Sequence, residues 1–258
     1  MTKVAILGGG VIGLSLAYEV AKRGASVTLV DKRQPGRQAS WAGAGILPPA
    51  NEATALHPLE QLRGISSRLH DEWAVALKAE TGIDTGFRKC GGVYLARSVG
   101  EVASLLGLVD EWREFEIEIE ELSRSELMER LPPLAELDSS ELPRKSFWVP
   151  DEWQIRNPDH LAALRKACEE LGVEFIETTD DVRLIGKSGS STVKPGHPIS
   201  CVQLRDRQIF ADQFCICAGA WTENLLSPFQ VTIPMTPVRG QMVLFKLPRS
   251  RFKPEIYS

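Results

Sequence analysis

The opening 31 residues constrain this chain more than any other part of it. Four apolar residues, Val4–Leu7, run directly into Gly8-Gly9-Gly10. A stretch with helical spacing, Val11–Arg23, follows and ends at Gly24, and a second apolar run, Val27–Val30, leads to a lone acid, Asp31. A short, wholly apolar run fits a strand covered on both faces, and a helix stopped by glycine before the next such run makes a β-α-β unit. So tight a connection requires parallel strands and a right-handed crossover. In Gly8-x-Gly10-x-x-Gly13, Gly8 permits the strand-to-helix turn, Gly10 lets backbone approach a pyrophosphate, and Gly13 lets the helix pack against the strand. The phosphates would meet the first turn, Val11 and Ile12, where free N–H groups and the positive end of the helix dipole favour an anion. Asp31, followed by Lys32, lies 18 residues beyond Gly13, where a carboxylate can accept hydrogen bonds from ribose hydroxyls.

Composition narrows the partners. At 258 residues, 43% hydrophobic and 25% charged, the chain can bury a core for one large or two modest domains. No apolar run approaches the roughly 20 residues that span a bilayer, and the N-terminus has neither the basic region nor the cleavage site of a secretory signal. The cytoplasm is the expected compartment. The net charge is −4 with lysine and arginine scattered among acids, so neither nucleic acid nor a membrane is an expected partner. A small molecule is expected instead, and homo-oligomer formation is left open. The five cysteines, Cys90, Cys168, Cys201, Cys215 and Cys217, contain no CxxC pair, and their odd number argues against a disulfide framework or a zinc site. His57, His70, His160 and His197 are far apart and read as solvated or capping residues, so no metal is expected.

Further along, Leu56–Ala79 has helical spacing, and Phe87–Ala96, with Gly91-Gly92 inside it, reads as a strand carrying a bulge. In Glu114–Glu120 the apolar Phe115, Ile117 and Ile119 alternate with acids, the period of a half-buried strand. Ser123 and Glu126 form a capping box for a short helix that Pro132 and Pro133 stop. Residues 131–144 are a proline- and serine-rich connection. Asn157-Pro158 then opens a helix, as N-cap and first helical residue, that runs through Leu171 to Gly172. Val173–Ile176 is a strand, 186–200 a polar loop, and Cys201–Leu204 with Gln208–Phe210 a hairpin around Asp206-Arg207. Phe214–Cys217 is a last apolar strand running into Ala218-Gly219-Ala220.

Which dinucleotide binds is a question for residues 40–47. Ser40, Ala42, Gly43, Ala44 and Gly45 are small enough for backbone to lie against a flat ring, while Trp41, Ile46 and Leu47 are too apolar for a solvated linker. The glycine triplet with Asp31, "ASWAGAGIL", "GGVYLA" at 91–96, "CAGAWT" at 217–222 and "PVRGQM" at 237–242 together resemble the FAD-dependent D-amino-acid oxidase family. The similarity is greatest to its glycine oxidase branch from thiamine biosynthesis. It implies an α/β protein with a discontinuous Rossmann-like FAD-binding domain, 1–86 and 151–231. A largely antiparallel α+β substrate domain, 87–150 and 232–258, would be inserted into it. By the same resemblance, Gly8, Gly10, Val11, Ile12 and Gly13 line the FAD pyrophosphate, and Asp31 and Lys32 the ribose. Ser40 and Ala42–Ile46 would flank the flavin. Val182 would meet the adenine with its backbone, and Ala218-Gly219 would make a second close approach to the cofactor. Arg239 and Tyr257 are the candidates facing substrate.

The activity so implied is oxidation of a small amino acid, glycine, sarcosine or a D-amino acid, to an imine that water hydrolyses to the 2-oxo acid. Oxygen would be reduced to hydrogen peroxide. The cofactor carries such chemistry, and no side-chain base is needed if the substrate amine arrives neutral. Relative to the family pattern, the carboxylate-binding arginine and a glycine-rich C-terminal segment would lie beyond Ser258. Hence a truncated or shortened relative is an alternative, and the 258 residues alone are expected to bind FAD weakly or not at all and to oxidise amines slowly. A catalytically silent dinucleotide-binding protein and an NAD(P)-dependent dehydrogenase stay open as other readings.

Overall fold

The computed structural model describes residues 1–178, 181–186, 198–243 and the backbone of 255–257. The chain divides into two compact units. Unit 1 comprises Met1–Ala44, Leu77–Thr85 and Asn157–Val243. Its opening follows the sequence closely: strand β1 (Lys3–Leu7), helix α1 (Val11–Lys22) and strand β2 (Ser26–Asp31). Strand β9 (Glu174–Glu177) extends β2, and β13 (Gln213–Ile216) flanks β1 on its other side, so all four strands run parallel in the order β13-β1-β2-β9. Val4 to Leu7 are at most 8% exposed, as a strand covered on both faces demands.

On one face of this sheet Ala5, Leu7 and Val30 pack with Leu184, Val202 and Ile209 of an antiparallel sheet, β10 (Arg183–Gly186), β11 (Ile199–Gln203) and β12 (Gln208–Phe210). The expected hairpin is thus the last two strands of this second sheet. Part of the expected polar loop at 186–200 lies outside the described residues. Helix α5 (Asn157–Glu170) packs on α1, and Gly172 follows it at φ +79°, the left-handed conformation that glycine alone adopts freely. The helical period puts His160, in the first turn of α5, on its buried face with Leu161, Ala163, Leu164, Ala167 and Cys168, so of the two expectations, solvated or capping, the solvated one does not hold: this histidine is 4% exposed. The His197 expectation falls outside the described residues. A short helix, α6 (Thr222–Leu226), follows β13.

Unit 2 comprises Gly45–Ala76, Gly86–Arg156 and Leu244–Ser258, the last described only as strand β14 (Glu255–Tyr257). Residues 45–76, grouped above with 1–86, make their contacts here. They contain strand β3 (Ile46–Leu47) and most of α2 (Pro58–Thr81), the helix expected from Leu56 to Ala79. Strands β5 (Gly92–Ala96), β6 (Glu120–Glu121) and β7 (Lys145–Val149) join β14 in one sheet of order β14-β5-β7-β6, in which β5 and β7 pair antiparallel and β14 runs parallel to β5. A smaller antiparallel sheet joins β3, β8 (Trp153–Gln154) and β4 (Arg88–Lys89).

Two expectations are corrected in this unit. Phe87–Ala96 is not one bulged strand but two strands in different sheets. The break falls at Gly91, whose φ of +67° turns the chain and whose missing side chain leaves room for the Trp148 ring. Glu114–Glu120 is not a strand either. An unanticipated helix, α3 (Val99–Glu114), opens on a Ser98/Glu101 capping box and buries Leu105, Val109 and Trp112. Its end is wound tight, with Phe115 and Ile117 both donating amides to the Trp112 carbonyl and Glu116 at φ +56°. Phe115 and Ile117 are buried by this turn, which satisfies the alternating pattern without extended backbone, and only β6 (Glu120–Glu121) pairs as a strand. Helix α4 (Arg124–Arg130) carries the Ser123/Glu126 capping box as expected. No helix of the described residues is long and apolar enough to cross a membrane.

Candidate functional site

The site is built where β1 turns into α1. Gly8 sits at φ +105°, and a Cβ there would overlap the carbonyl of Cys217 and lie 2.9 Å from the Ala218 Cα. A Cβ on Gly13 would overlap the carbonyl of Gly8. Both glycines are therefore required by the protein's own packing. Gly10 differs. Its backbone is extended (φ −71°, ψ −174°), and among the described residues a Cβ would meet only the Ser40 hydroxyl, at 3.2 Å. The space beside Gly10 is thus left open by the protein, at the position where the motif needs a pyrophosphate to approach.

The electrostatics of that space suit an anion. Helix α1 has no acid in its first turn, and its N-cap is Gly10, which offers no side chain. The Val11 amide donates to Ser40 Oγ at 3.0 Å, whereas the amides of Ile12 and Gly13 have no partner among the described residues. Unpaired first-turn N–H groups at the positive end of the dipole form a cradle for phosphate oxygens. Ser40 accepts the Val11 hydrogen and so keeps its own hydroxyl proton to donate.

Asp31 closes the cradle. Its Oδ2 accepts the Gly9 amide at 2.6 Å and its Oδ1 the Arg33 amide at 2.9 Å, which fixes the carboxylate and the glycine loop against each other. Each oxygen retains a lone pair for a ribose hydroxyl. The loop is held further by Gly8 donating to the Val30 carbonyl at 2.8 Å and Gly36 donating to the Gly9 carbonyl at 2.7 Å. Lys32 is exposed beside it.

The other expected positions divide as follows. Ala218 abuts Gly8, and Gly219, at φ +54°, begins a short turn ending at Trp221. Val182 is buried, 8% exposed, immediately before β10. Ser40, Ala42, Gly43 and Ala44 belong to unit 1, and Gly45 and Ile46 to unit 2, where the Gly45 carbonyl accepts the Ile155 amide and Ile46 pairs with Gln154. Arg239 is exposed in unit 1 and makes no hydrogen bond to the described residues, and Tyr257 pairs with Tyr94 through its backbone in unit 2.

Two contributors had no signal of this kind in the sequence. The Asn157 side chain donates to the Ser40 carbonyl at 3.1 Å, and the Cys217 amide donates to the Leu7 carbonyl at 2.7 Å to seat the chain behind Gly8. Burial pushes the Cys217 thiol up, with neighbouring Cys215 adding to the rise, so neither sulfur is an activated nucleophile. Among the described residues no group of three or more His, Cys, Asp and Glu side chains could hold a metal ion. The arrangement can hold a dinucleotide and leaves the redox chemistry to it.

The chain is similar to known proteins along most of its length. Glycine oxidase of Geobacillus kaustophilus is 32% identical over 247 residues, which are 95% of this chain and 62% of that protein. The bifunctional protein ThiO/ThiG of a Nostoc species is 30% identical, over 96% of this chain and 34% of its own length. The crystal structure of the Geobacillus kaustophilus glycine oxidase superposes with a TM-score of 0.73 at 30% identity, covering 88% of this chain and 58% of that one. L-proline dehydrogenase from P. horikoshii, at 20% identity and a TM-score of 0.70, shares the fold. The chain therefore spans less than two thirds of the length of these relatives. Residues 3–257 match the family described as FAD dependent oxidoreductase, DAO. With that match along almost its whole length, the chain belongs to the DAO family of FAD-dependent oxidoreductases, whose cofactor is FAD.

Proposed function

We propose that this protein is an oxidase of a small amino acid, glycine, sarcosine or a D-amino acid, which it converts through an imine to the 2-oxo acid. Oxygen and water are consumed, and ammonia or a small amine and hydrogen peroxide are released. The observation that carries the reading is the open space at Gly10, bordered by the unpaired amides of Ile12 and Gly13 and the Ser40 hydroxyl. Those groups would hold the pyrophosphate of FAD, with Asp31 and Lys32 at the ribose. Ser40 and Ala42–Ile46 would lie along the flavin, Val182 at the adenine and Ala218-Gly219 at the second close approach. Bound FAD supplies acceptance of two electrons from the substrate's α-carbon and their delivery to oxygen. Arg239 and Tyr257 are the residues put forward for the substrate side, where a guanidinium could pair with the carboxylate. A neutral substrate amine would make a side-chain base unnecessary, consistent with the thiols of Cys215 and Cys217 being held protonated. The cytoplasm is the setting in which five free cysteines persist.

The reading is tested by adding glycine, sarcosine or D-alanine to FAD-loaded protein without oxygen. Bleaching of the flavin band by one of them, and peroxide formation when oxygen is admitted, is the expected result. A flavin that stays oxidised with all three contradicts it and favours a silent dinucleotide-binding protein.

A further inference from the structure

We propose that Asn157 is a positioning residue for the cofactor loop, latching the Ser40–Gly43 turn to the start of α5 so that the Ser40 hydroxyl stays on the first turn of α1. The inference rests on the reading that this loop receives the FAD pyrophosphate.

Three observations in unit 1 carry it. The Asn157 amide donates to the Ser40 carbonyl across 117 residues of sequence, at 3.1 Å. Ser40 in turn accepts the Val11 amide at 3.0 Å, so a continuous chain of hydrogen bonds links α5, the turn and α1. That chain ends at the edge of the Gly10 space, since among the described residues Ser40 Oγ is the one atom that a side chain at Gly10 would meet. Among the described residues nothing else anchors the Ser40 carbonyl, and a half-buried serine on a turn would otherwise rotate among several hydrogen-bonding states.

Gly43 gives the independent sign. Its φ lies outside the left-handed region, so its backbone does not need glycine. What excludes a side chain is Asn157, whose amide nitrogen occupies the place a Cβ would take. Gly43 and Asn157 are thus a matched pair: the glycine gives the amide room to reach the Ser40 carbonyl. If Asn157 served only to begin α5, another helix-starting residue would do as well, and nothing would tie Gly43 to it.

The test is a double-mutant cycle on the full chain, read by FAD titration and by melting of the FAD-free protein. Asn157→Ser keeps a neutral residue favoured at helix starts but is too short to reach Ser40. It is expected to weaken FAD binding about tenfold, the loss of one hydrogen bond's worth of ordering, with little change in melting. Gly43→Ala is expected to weaken FAD binding and lower the melting temperature. The Gly43→Ala/Asn157→Ser protein should bind FAD no worse than Asn157→Ser alone, because the obstruction has gone. Wild-type FAD affinity in Asn157→Ser, or additive penalties in the double variant, overturns the latch while leaving the FAD reading intact. Absence of even weak FAD binding by wild type, at FAD concentrations far above those of the protein, overturns the FAD reading, and the latch with it.

Discussion

The hydroxyl of Ser40 lies 3.0 Å from the Val11 amide, so a residue 29 positions downstream caps the first turn of α1. Neither the glycine N-cap nor any acid in that turn supplies another side-chain acceptor. Ser40→Ala is expected to lower stability by about 1 kcal/mol, the usual value of a helix cap. It should also weaken FAD binding, through loss of the hydroxyl donor to the phosphates. Denaturant unfolding of the FAD-free chain and a flavin titration measure the two effects separately. An unchanged titration would mean that Ser40 caps the helix and does nothing more.

Asp31 holds the amides of Gly9 and Arg33, so its removal acts on the loop as well as on the cofactor. Asp31→Ala is expected to weaken FAD binding by about 1–3 kcal/mol, and to destabilise the FAD-free chain by about 2 kcal/mol, the range for hydrogen bonds to a charged group. Calorimetric titration and thermal melting check the pair. A loss in binding with no loss in melting would show that the loop holds its shape without the carboxylate.

Gly13 and Gly10 should respond oppositely to alanine. A methyl on Gly13 overlaps the Gly8 carbonyl, so Gly13→Ala is expected to cost about 2 kcal/mol or more of stability as α1 is forced off β1. Among the described residues a methyl on Gly10 meets only Ser40 Oγ, at 3.2 Å, and melting should barely move. Equal destabilisation by the two would contradict the view that the space at Gly10 is kept for a ligand.

Cys168 offers a pH test of the packing under α1. It is fully buried and its thiol donates to the Leu14 carbonyl at 3.6 Å. Burial pushes this thiol from 9.0 up to about 12. Below pH 9 the thiol is protonated in both states and contributes no slope. Between about 9 and 12 the unfolded chain has lost a proton that the folded chain keeps, so stability falls as pH rises, by up to about 4 kcal/mol. Cys168→Ala should flatten that alkaline limb relative to wild type. Identical slopes in the two proteins would place the thiol in contact with water.

What could be read from the sequence was what short-range chemistry determines. Val4–Leu7, the glycines and Asp31 lie close together along the chain, and their spacing alone dictated a strand, a turn and a helix start, which the structure contains. The hairpin at Cys201–Phe210 was equally local. Residues 114–120 misled because alternating burial has two solutions, a strand or a tightly wound helix end, and the Ser98/Glu101 cap with Trp112 behind it selects the second. Gly91 misled because a glycine pair inside an apolar run marks a bulge or a corner alike, and the Trp148 ring that decides for the corner is distant in sequence. Asn157 could be recognised as a helix start, but its bond to Ser40 spans 117 residues and has no local signature.

The central claim is that the space beside Gly10 receives the FAD pyrophosphate, and FAD titration of Gly10→Val against wild type tests it most directly. Valine is compatible with the extended backbone at this position and would project its branched side chain into the open space. The expected result is weak but saturable FAD binding by wild type, as the preformed cradle of amides and the Ser40 hydroxyl permits, and none by Gly10→Val, with the two FAD-free proteins melting within a few degrees of each other. Undiminished flavin affinity in a folded Gly10→Val protein would show that the phosphates lie elsewhere.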